Sequence, residues 1–159
     1  MHSDQPLPAG VGRRVLTTAM VENSTLLRDR PRQLQILLGG VIPALVGVLA
    51  GVLVGASAVA YWVIALLAGL GAFLSGFEHR DGWGGADRGF TGGVIYGTAL
   101  LLTHAAVGTH AKVSLGSFPP LLAVLTAIIG MFLAAAGGKL ARLERERLGL
   151  VPKQEEEYY

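Results

Sequence analysis

Long apolar runs alternate with short charged segments along this chain. Residues 33–77, 89–111 and 113–138 contain no Asp, Glu, Lys or Arg. A helix that crosses a bilayer needs about 20 consecutive apolar residues, so the first run is long enough for two helices and each other run for one. The pattern therefore predicts an all-α, polytopic membrane protein. The predicted transmembrane helices are residues 34–54, 58–77, 90–108 and 118–138.

The lengths of the linkers predict how these helices are paired. Only residues 55–57 separate the first two spans, whereas a polar loop at residues 78–89 follows them. Because short linkers favour antiparallel neighbours, we predict two antiparallel hairpins. Gly39–Gly55 aligns without gaps to Gly92–Gly108, sharing GGVI and a final VG. The hairpins would then be a parallel internal repeat; the alternative is a chance match between segments rich in Gly, Ala, Val and Leu.

The basic residues predict the orientation. Twelve of the 13 Lys and Arg residues lie in the N-terminal segment, the 78–89 loop or the C-terminal segment, and Lys112 is the exception. The positive-inside rule then places both termini and this loop in the cytoplasm, with the spans in the inner (cytoplasmic) membrane. Residues 1–33 include a predicted interfacial helix, with a solvated tail as the alternative. Residues 139–159 are predicted to be a helical extension, with i,i+3 and i,i+4 ion pairs, followed by an acidic tail.

Composition excludes several classes of protein. Apolar residues make up 52% of the chain and charged residues only 15%, whereas soluble domains carry roughly a quarter charged residues. With no cysteine, the chain has neither disulfides nor thiolate metal sites. The basic residues flank apolar spans as membrane anchors do, so we expect the lipid bilayer as a partner and no nucleic acid.

Small residues recur at every fourth position in all four spans. Positions i and i+4 share one face of a helix, and small side chains there let helices approach closely in lipid. We therefore predict a bundle packed through Gly and Ala. Each stripe meets either another helix of this chain or another subunit, so a homo-oligomer or other membrane protein subunits are expected partners. The predicted packing residues are Gly39, Gly47, Gly51, Gly55, Ala68, Ala72, Gly76, Gly93, Gly97, Gly130, Ala134 and Gly138.

Two groups of polar residues are candidates for chemistry. An ionisable residue inside the membrane is a functional hypothesis by default, so Thr98, Thr103 and His104 could line a polar path; the alternative is a neutral histidine bonded to a backbone carbonyl. The 78–89 loop could supply an acid–base pair or a cation site, or be a polar turn in which its arginines pair with its aspartates. No metal-ligand or cofactor-binding pattern is present, so we expect no metal and no cofactor. The loop candidates are Glu78, His79, Arg80, Asp81, Asp87 and Arg88.

One segment resembles a known group of proteins. Residues 75–97, SGFEHRDGWGGADRGFTGGVIYG, are similar to the linker of small prokaryotic four-helix membrane proteins. In those proteins two hydrophobic hairpins flank a glycine-rich element around an Arg-Asp-Gly core, here Arg80-Asp81-Gly82. The resemblance implies the four-helix topology and brings no function with it.

These patterns lead to three hypotheses about function. The first is a structural or accessory membrane protein that acts through helix–helix packing in an oligomer or larger complex. The second is a small homo-oligomeric permease or channel with a path near His104. An enzyme that uses the loop from Glu78 to Asp87 is the least favoured, and we do not expect catalysis.

Overall fold

The computed structural model describes residues 31–149, which form four long helices. Each is long and apolar enough to cross a membrane, and no strand occurs in the described range. The prediction of an all-α chain with four membrane-spanning helices is confirmed. The predicted interfacial helix and acidic tail lie outside the described residues. The helices are α1 (Arg32–Ala56), α2 (Ala58–Gly76), α3 (Gly82–Val107) and α4 (Pro120–Arg147).

Helix α3 begins at Gly82, well before the predicted boundary at residue 90. The side chain of Asp81 caps the helix, since its Oδ1 accepts a hydrogen bond of 2.8 Å from Gly84 N–H. Most of the predicted polar loop is therefore helical, and only residues 77–81 form a turn, which we call the central turn. At the other end of α3, Gly108 adopts a left-handed conformation with φ of 67° and ends the helix.

Helix α4 continues past the predicted span without a break, to Arg147. Two side-chain pairs follow its surface there: Arg142 Nε lies 2.8 Å from Glu146 Oε1, and Arg147 Nη1 lies 3.6 Å from Glu144 Oε2. Helix α4 thus extends beyond its apolar part to Arg147, with both pairs on its surface.

The most extensive packing in the bundle joins α3 to α4. A Cβ on Gly89 would overlap the carbonyl oxygen of Gly130, and a Cβ on Gly130 would lie 2.5 Å from the carbonyl oxygen of Gly89. One turn further along α3, a Cβ on Gly93 would lie 2.7 Å from the Cα of Ala127. Backbone therefore meets backbone along this interface, where dispersion and weak Cα–H···O contacts replace side-chain interdigitation.

Helices α1 and α2 pack mainly on the second pair of helices. Helix α1 packs more extensively on α3 than on α2, and α2 more extensively on α4 than on α3. A Cβ on Gly51 would lie 2.5 Å from the carbonyl oxygen of Leu100, and a Cβ on Gly76 would overlap that of Ala134. The two-hairpin arrangement and the internal repeat stay predictions, because the principal partner of each early helix is a later one.

Lys112 bonds the C-terminal end of α1, at the end of the bundle opposite the central turn. Its Nζ donates a hydrogen bond of 2.7 Å to the carbonyl of Ala56, and its backbone N–H donates one of 2.9 Å to that of Val54. The last carbonyls of a helix have no partner within the helix, so Lys112 satisfies two of these acceptors at the end of α1. The cation also lies at the negative end of the helix dipole.

Candidate functional site

A partly open groove of about 700 Å³ runs between α1, α2 and α4, with α3 as its floor. Its lining is mostly apolar, from Ile42 and Val46 of α1 across Ala68 and Ala72 of α2 to Leu133 of α4. Small residues on α2 keep this helix from filling the space between α1 and α4. The groove lies within the size range of about 300–1,000 Å³ that is typical of small-molecule sites.

Arg88 of α3 forms the polar end of the groove. A proline in α1 explains why its hydrogen-bond partner is the backbone carbonyl of Leu38. In the π-helical segment Leu37–Val41, Ile42 N–H donates to the carbonyl of Leu37, five residues back. The next donor in that register would be residue 43, but Pro43 has no N–H. The carbonyl of Leu38 is therefore left without a partner in the helix, and it accepts a hydrogen bond from Arg88 Nη2.

The guanidinium of Arg88 keeps donor capacity beyond this bond. A guanidinium has five N–H donors, and its Nε is screened from solvent with no hydrogen-bond partner among residues 31–149. Glu78 lines the same end of the groove and interacts electrostatically with Arg88. A pair of opposite charges thus lies beside an apolar channel, next to the central turn.

The other polar groups of the groove differ in how they are satisfied. Ser75 Oγ donates to the carbonyl of Ala72 at 2.7 Å, and Thr126 Oγ1 donates to that of Gly93 at 3.0 Å. Tyr96 Oη is buried and has no hydrogen-bond partner in the described part of the chain. Arg88 and Tyr96 therefore have unused hydrogen-bonding atoms at the groove, and Glu78 adds a negative charge to its polar end.

The central turn is held by hydrogen bonds to backbone atoms. His79 Nδ1 lies 3.1 Å from the carbonyl oxygen of Ser75. Arg145 of α4 donates to the carbonyl of His79 at 2.9 Å and to that of Phe77 at 2.8 Å. Together with the Asp81 cap, these bonds join the C-terminal end of α2, the start of α3 and the end of α4.

The structure does not gather the six loop candidates into one site. Asp81 caps α3 and Arg88 contacts α1, whereas Arg80 and Asp87 are exposed. No ion pair joins these arginines to these aspartates within residues 31–149: Arg88 donates to the backbone carbonyl of Leu38, and Asp81 accepts from the backbone N–H of Gly84. No group of three His, Asp or Glu side chains in the described range could hold a metal ion.

The three candidates for a polar path also lie apart. Thr98 is exposed on the outside of the bundle, and none of the three lines the groove. Thr103 packs against α1, where its Cβ would lie 2.8 Å from a Cβ on Gly51. His104 is half-buried, and its Nδ1 has no hydrogen-bond partner among the described residues.

The small residues predicted for packing take three kinds of position. Most pack directly against the backbone of another helix of the same chain, as described for α3 and α4. Gly39 lies beside Arg88, whose Nη1 would be 3.2 Å from an added Cβ, and Gly55 lies against Thr109, in the loop between α3 and α4. Ala68 and Ala72 line the groove instead. The residues in backbone contact with a neighbouring helix are Gly47, Gly51, Gly76, Gly93, Gly97, Gly130 and Gly138, and Ala134 is buried among them.

The sequence analysis missed the groove, the roles of Leu38 and Tyr96 in its lining, and the role of Arg145 at the central turn. Tyr96 looks like any aromatic residue of a span, and Arg145 looks like a solvated residue of the extension. The free carbonyl of Leu38 could have been predicted from the sequence, since Pro43 lies five residues later and two glycines lie between them. A proline inside an apolar span predicts a freed carbonyl in the preceding turn.

Comparisons of the chain with protein families, with curated proteins and with solved structures found no match.

Proposed function

We propose that the protein is a non-catalytic accessory protein of the cytoplasmic membrane, which acts through helix contacts with copies of itself or with other membrane subunits. The observation that carries this proposal is the use of the polar residues at the central turn. His79 and Asp81 bond backbone atoms three or four residues away, whereas Arg88 bonds the backbone of α1 and Arg145 joins α4 to the central turn. General acid–base catalysis needs such groups within reach of one another and of a substrate.

The distribution of charge supports an orientation with both termini and the central turn in the cytoplasm. Arg80 lies in the central turn and Arg88 and Arg145 lie close to it, whereas Lys112 is the lone Lys or Arg in residues 108–119, between α3 and α4. Positive charge is retained on the cytoplasmic side of membrane proteins. This orientation would also place the polar end of the groove in the cytoplasmic leaflet.

Helix α2 offers the broadest surface for a partner. Only 6% of its apolar window is buried within the bundle. The glycine stripes are engaged inside the chain, so a partner would meet larger side chains, such as Val59 at 75% and Val63 at 52% exposure. Association in lipid through such a surface rests on van der Waals packing.

Cross-linking in native membranes tests this proposal. The chain has no cysteine, so Val63→Cys provides a single thiol on the outer face of α2, and Leu102→Cys is a control on the outer face of α3. We expect Val63→Cys to cross-link to a second copy or another membrane protein more efficiently than Leu102→Cys. The wild-type particle in mild detergent should then have a protein mass above that of one chain. A single-chain mass without cross-links from either position would overturn the proposal.

His104 supports a second candidate, a small homo-oligomeric permease or channel. The supporting observation is its buried Nδ1, which lacks a partner in the described residues within an apolar helix. Polar atoms without partners are expensive in a membrane and often mark a transport path. If this candidate is correct, proteoliposomes with wild-type protein conduct protons or small ions, and His104→Ala lowers the flux at least tenfold. Equal flux from wild type, His104→Ala and empty liposomes would exclude it.

A further inference from the structure

The size of the groove limits what it can hold. A helix about 10 Å wide with a pitch of 5.4 Å occupies about 400 Å³ per turn. The groove volume of about 700 Å³ therefore accommodates fewer than two turns, whereas a helix that crosses the membrane has more than five. The groove therefore encloses only a short part of such a helix, whereas a thin flexible chain can follow its whole length.

The chemistry of the groove varies along its length. Arg88 and Glu78 lie at the end next to the central turn, and the remaining lining is apolar apart from a few hydroxyl groups. Tyr96 is eight residues from Arg88 on α3, which corresponds to about 12 Å along the helix. The groove thus presents charge at one end and hydrocarbon over the next several turns. This order matches an amphiphile that lies parallel to the helices in one leaflet.

We propose that the groove binds one phospholipid, with its phosphate at Arg88 and an acyl chain along the apolar lining. Guanidinium groups bind phosphate oxygens through charge-assisted hydrogen bonds, often two in parallel. Arg88 uses Nη2 for the Leu38 carbonyl and keeps other donors for an anion. Glu78 at the same end favours a headgroup that also carries a cation, so phosphatidylethanolamine fits better than phosphatidylglycerol.

Two substitutions separate the phosphate contact from the space for the acyl chain. Arg88→Gln removes the charge. Gly71→Leu narrows the groove without touching Arg88, because Gly71 lines the groove and an added Cβ meets nothing within 4 Å. Gly40→Leu is the matched control, since Gly40 also has open space around it and does not line the groove.

The experiment measures lipid retained by the full-length protein in mild detergent by native mass spectrometry. Phosphatidylethanolamine, phosphatidylglycerol and diacylglycerol with the same acyl chains are titrated separately. We expect one phosphatidylethanolamine per chain, with about tenfold weaker retention of diacylglycerol, the difference expected from one charge-assisted contact to phosphate. Arg88→Gln should remove this preference, and Gly71→Leu should lower retention of every lipid. Gly40→Leu should bind as wild type does.

The same measurements can overturn the proposal. Equal retention of diacylglycerol and phosphatidylethanolamine by wild type would show that the phosphate is not recognised. Stronger retention of phosphatidylglycerol would contradict the role given to Glu78. If Gly71→Leu retained as much lipid as wild type, the groove would not be the lipid site. The same would follow if this variant lost a dimer that wild type forms and kept its lipid. Because retention is measured on each chain, the result does not depend on whether the accessory function is correct.

Discussion

Replacing Gly89 with leucine is expected to prevent the bundle from assembling. An added Cβ overlaps the carbonyl oxygen of Gly130 and lies 2.6 Å from its carbonyl carbon. A backbone carbonyl cannot rotate away as a side chain can, so α3 and α4 must move apart along their closest interface. Overpacking a close-packed core commonly costs 1–3 kcal/mol and sometimes more, and we expect about 3 kcal/mol or more here. That is a large fraction of the stability of an ordinary domain.

Thermal unfolding in detergent, followed by circular dichroism, measures this effect, together with the yield of monodisperse protein. Gly40→Leu is again the control, because a Cβ at Gly40 meets nothing within 4 Å. We expect Gly89→Leu to give aggregated or rapidly degraded protein and Gly40→Leu to unfold near the wild-type temperature. If both variants unfolded at the wild-type temperature, the close contact of α3 with α4 would be wrong.

Replacing Arg145 with alanine is expected to loosen the central turn and lower the free energy of unfolding by about 2 kcal/mol. Arg145 donates two hydrogen bonds, of 2.9 Å to the carbonyl of His79 and 2.8 Å to that of Phe77. Hydrogen bonds that involve a charged group each contribute about 1.5–3 kcal/mol, and partial exposure to solvent reduces the sum. Arg145→Lys should retain part of the stability, because an ammonium group cannot reproduce the planar fork.

Arg147 supplies a matched control two residues further along α4. Its side chain is 79% exposed and lies 3.6 Å from Glu144, and exposed ion pairs of this kind contribute less than about 1 kcal/mol. Chemical denaturation should therefore separate Arg145→Ala clearly from Arg147→Ala. Hydrogen exchange at the amides of residues 77–81 should increase only in the first variant. Equal midpoints for the two variants would show that the Arg145 contacts do not stabilise the turn.

The number of helices and their approximate positions could be predicted because uncharged runs of about 20 residues have few other uses. The start of α3 could not, since the residues from Gly82 to Gly89 include four glycines, which disfavour a helix in isolation. Packing against α4 overrides this preference, and the Asp81 cap sets the boundary. Local propensity therefore misplaced a boundary that tertiary contacts determine.

The candidate site was predictable only in part, because its parts come from distant segments. Arg88 was recognised as a candidate, but its partner Leu38 is 50 residues away. The groove exists because α1 packs on α3 and α2 packs on α4, and linker lengths do not specify that choice. The stripes of small residues predicted that the helices would approach closely. Because all four spans carry such a stripe, the pattern does not predict which helix packs on which.

The order of helix contacts has a consequence for biosynthesis. The ribosome releases α1 and α2 first, but their principal partners are α3 and α4. In the two-stage view of membrane protein folding, helices insert individually and associate afterwards. The first two helices therefore enter the bilayer before the backbone surfaces that receive Gly51 and Gly76 have been synthesised. Arg145, near the end of α4, then bonds the carbonyls of the central turn, which is synthesised before α3 and α4. Insertion of these four helices is progressive, whereas the bundle they form is complete only after α4 has been released.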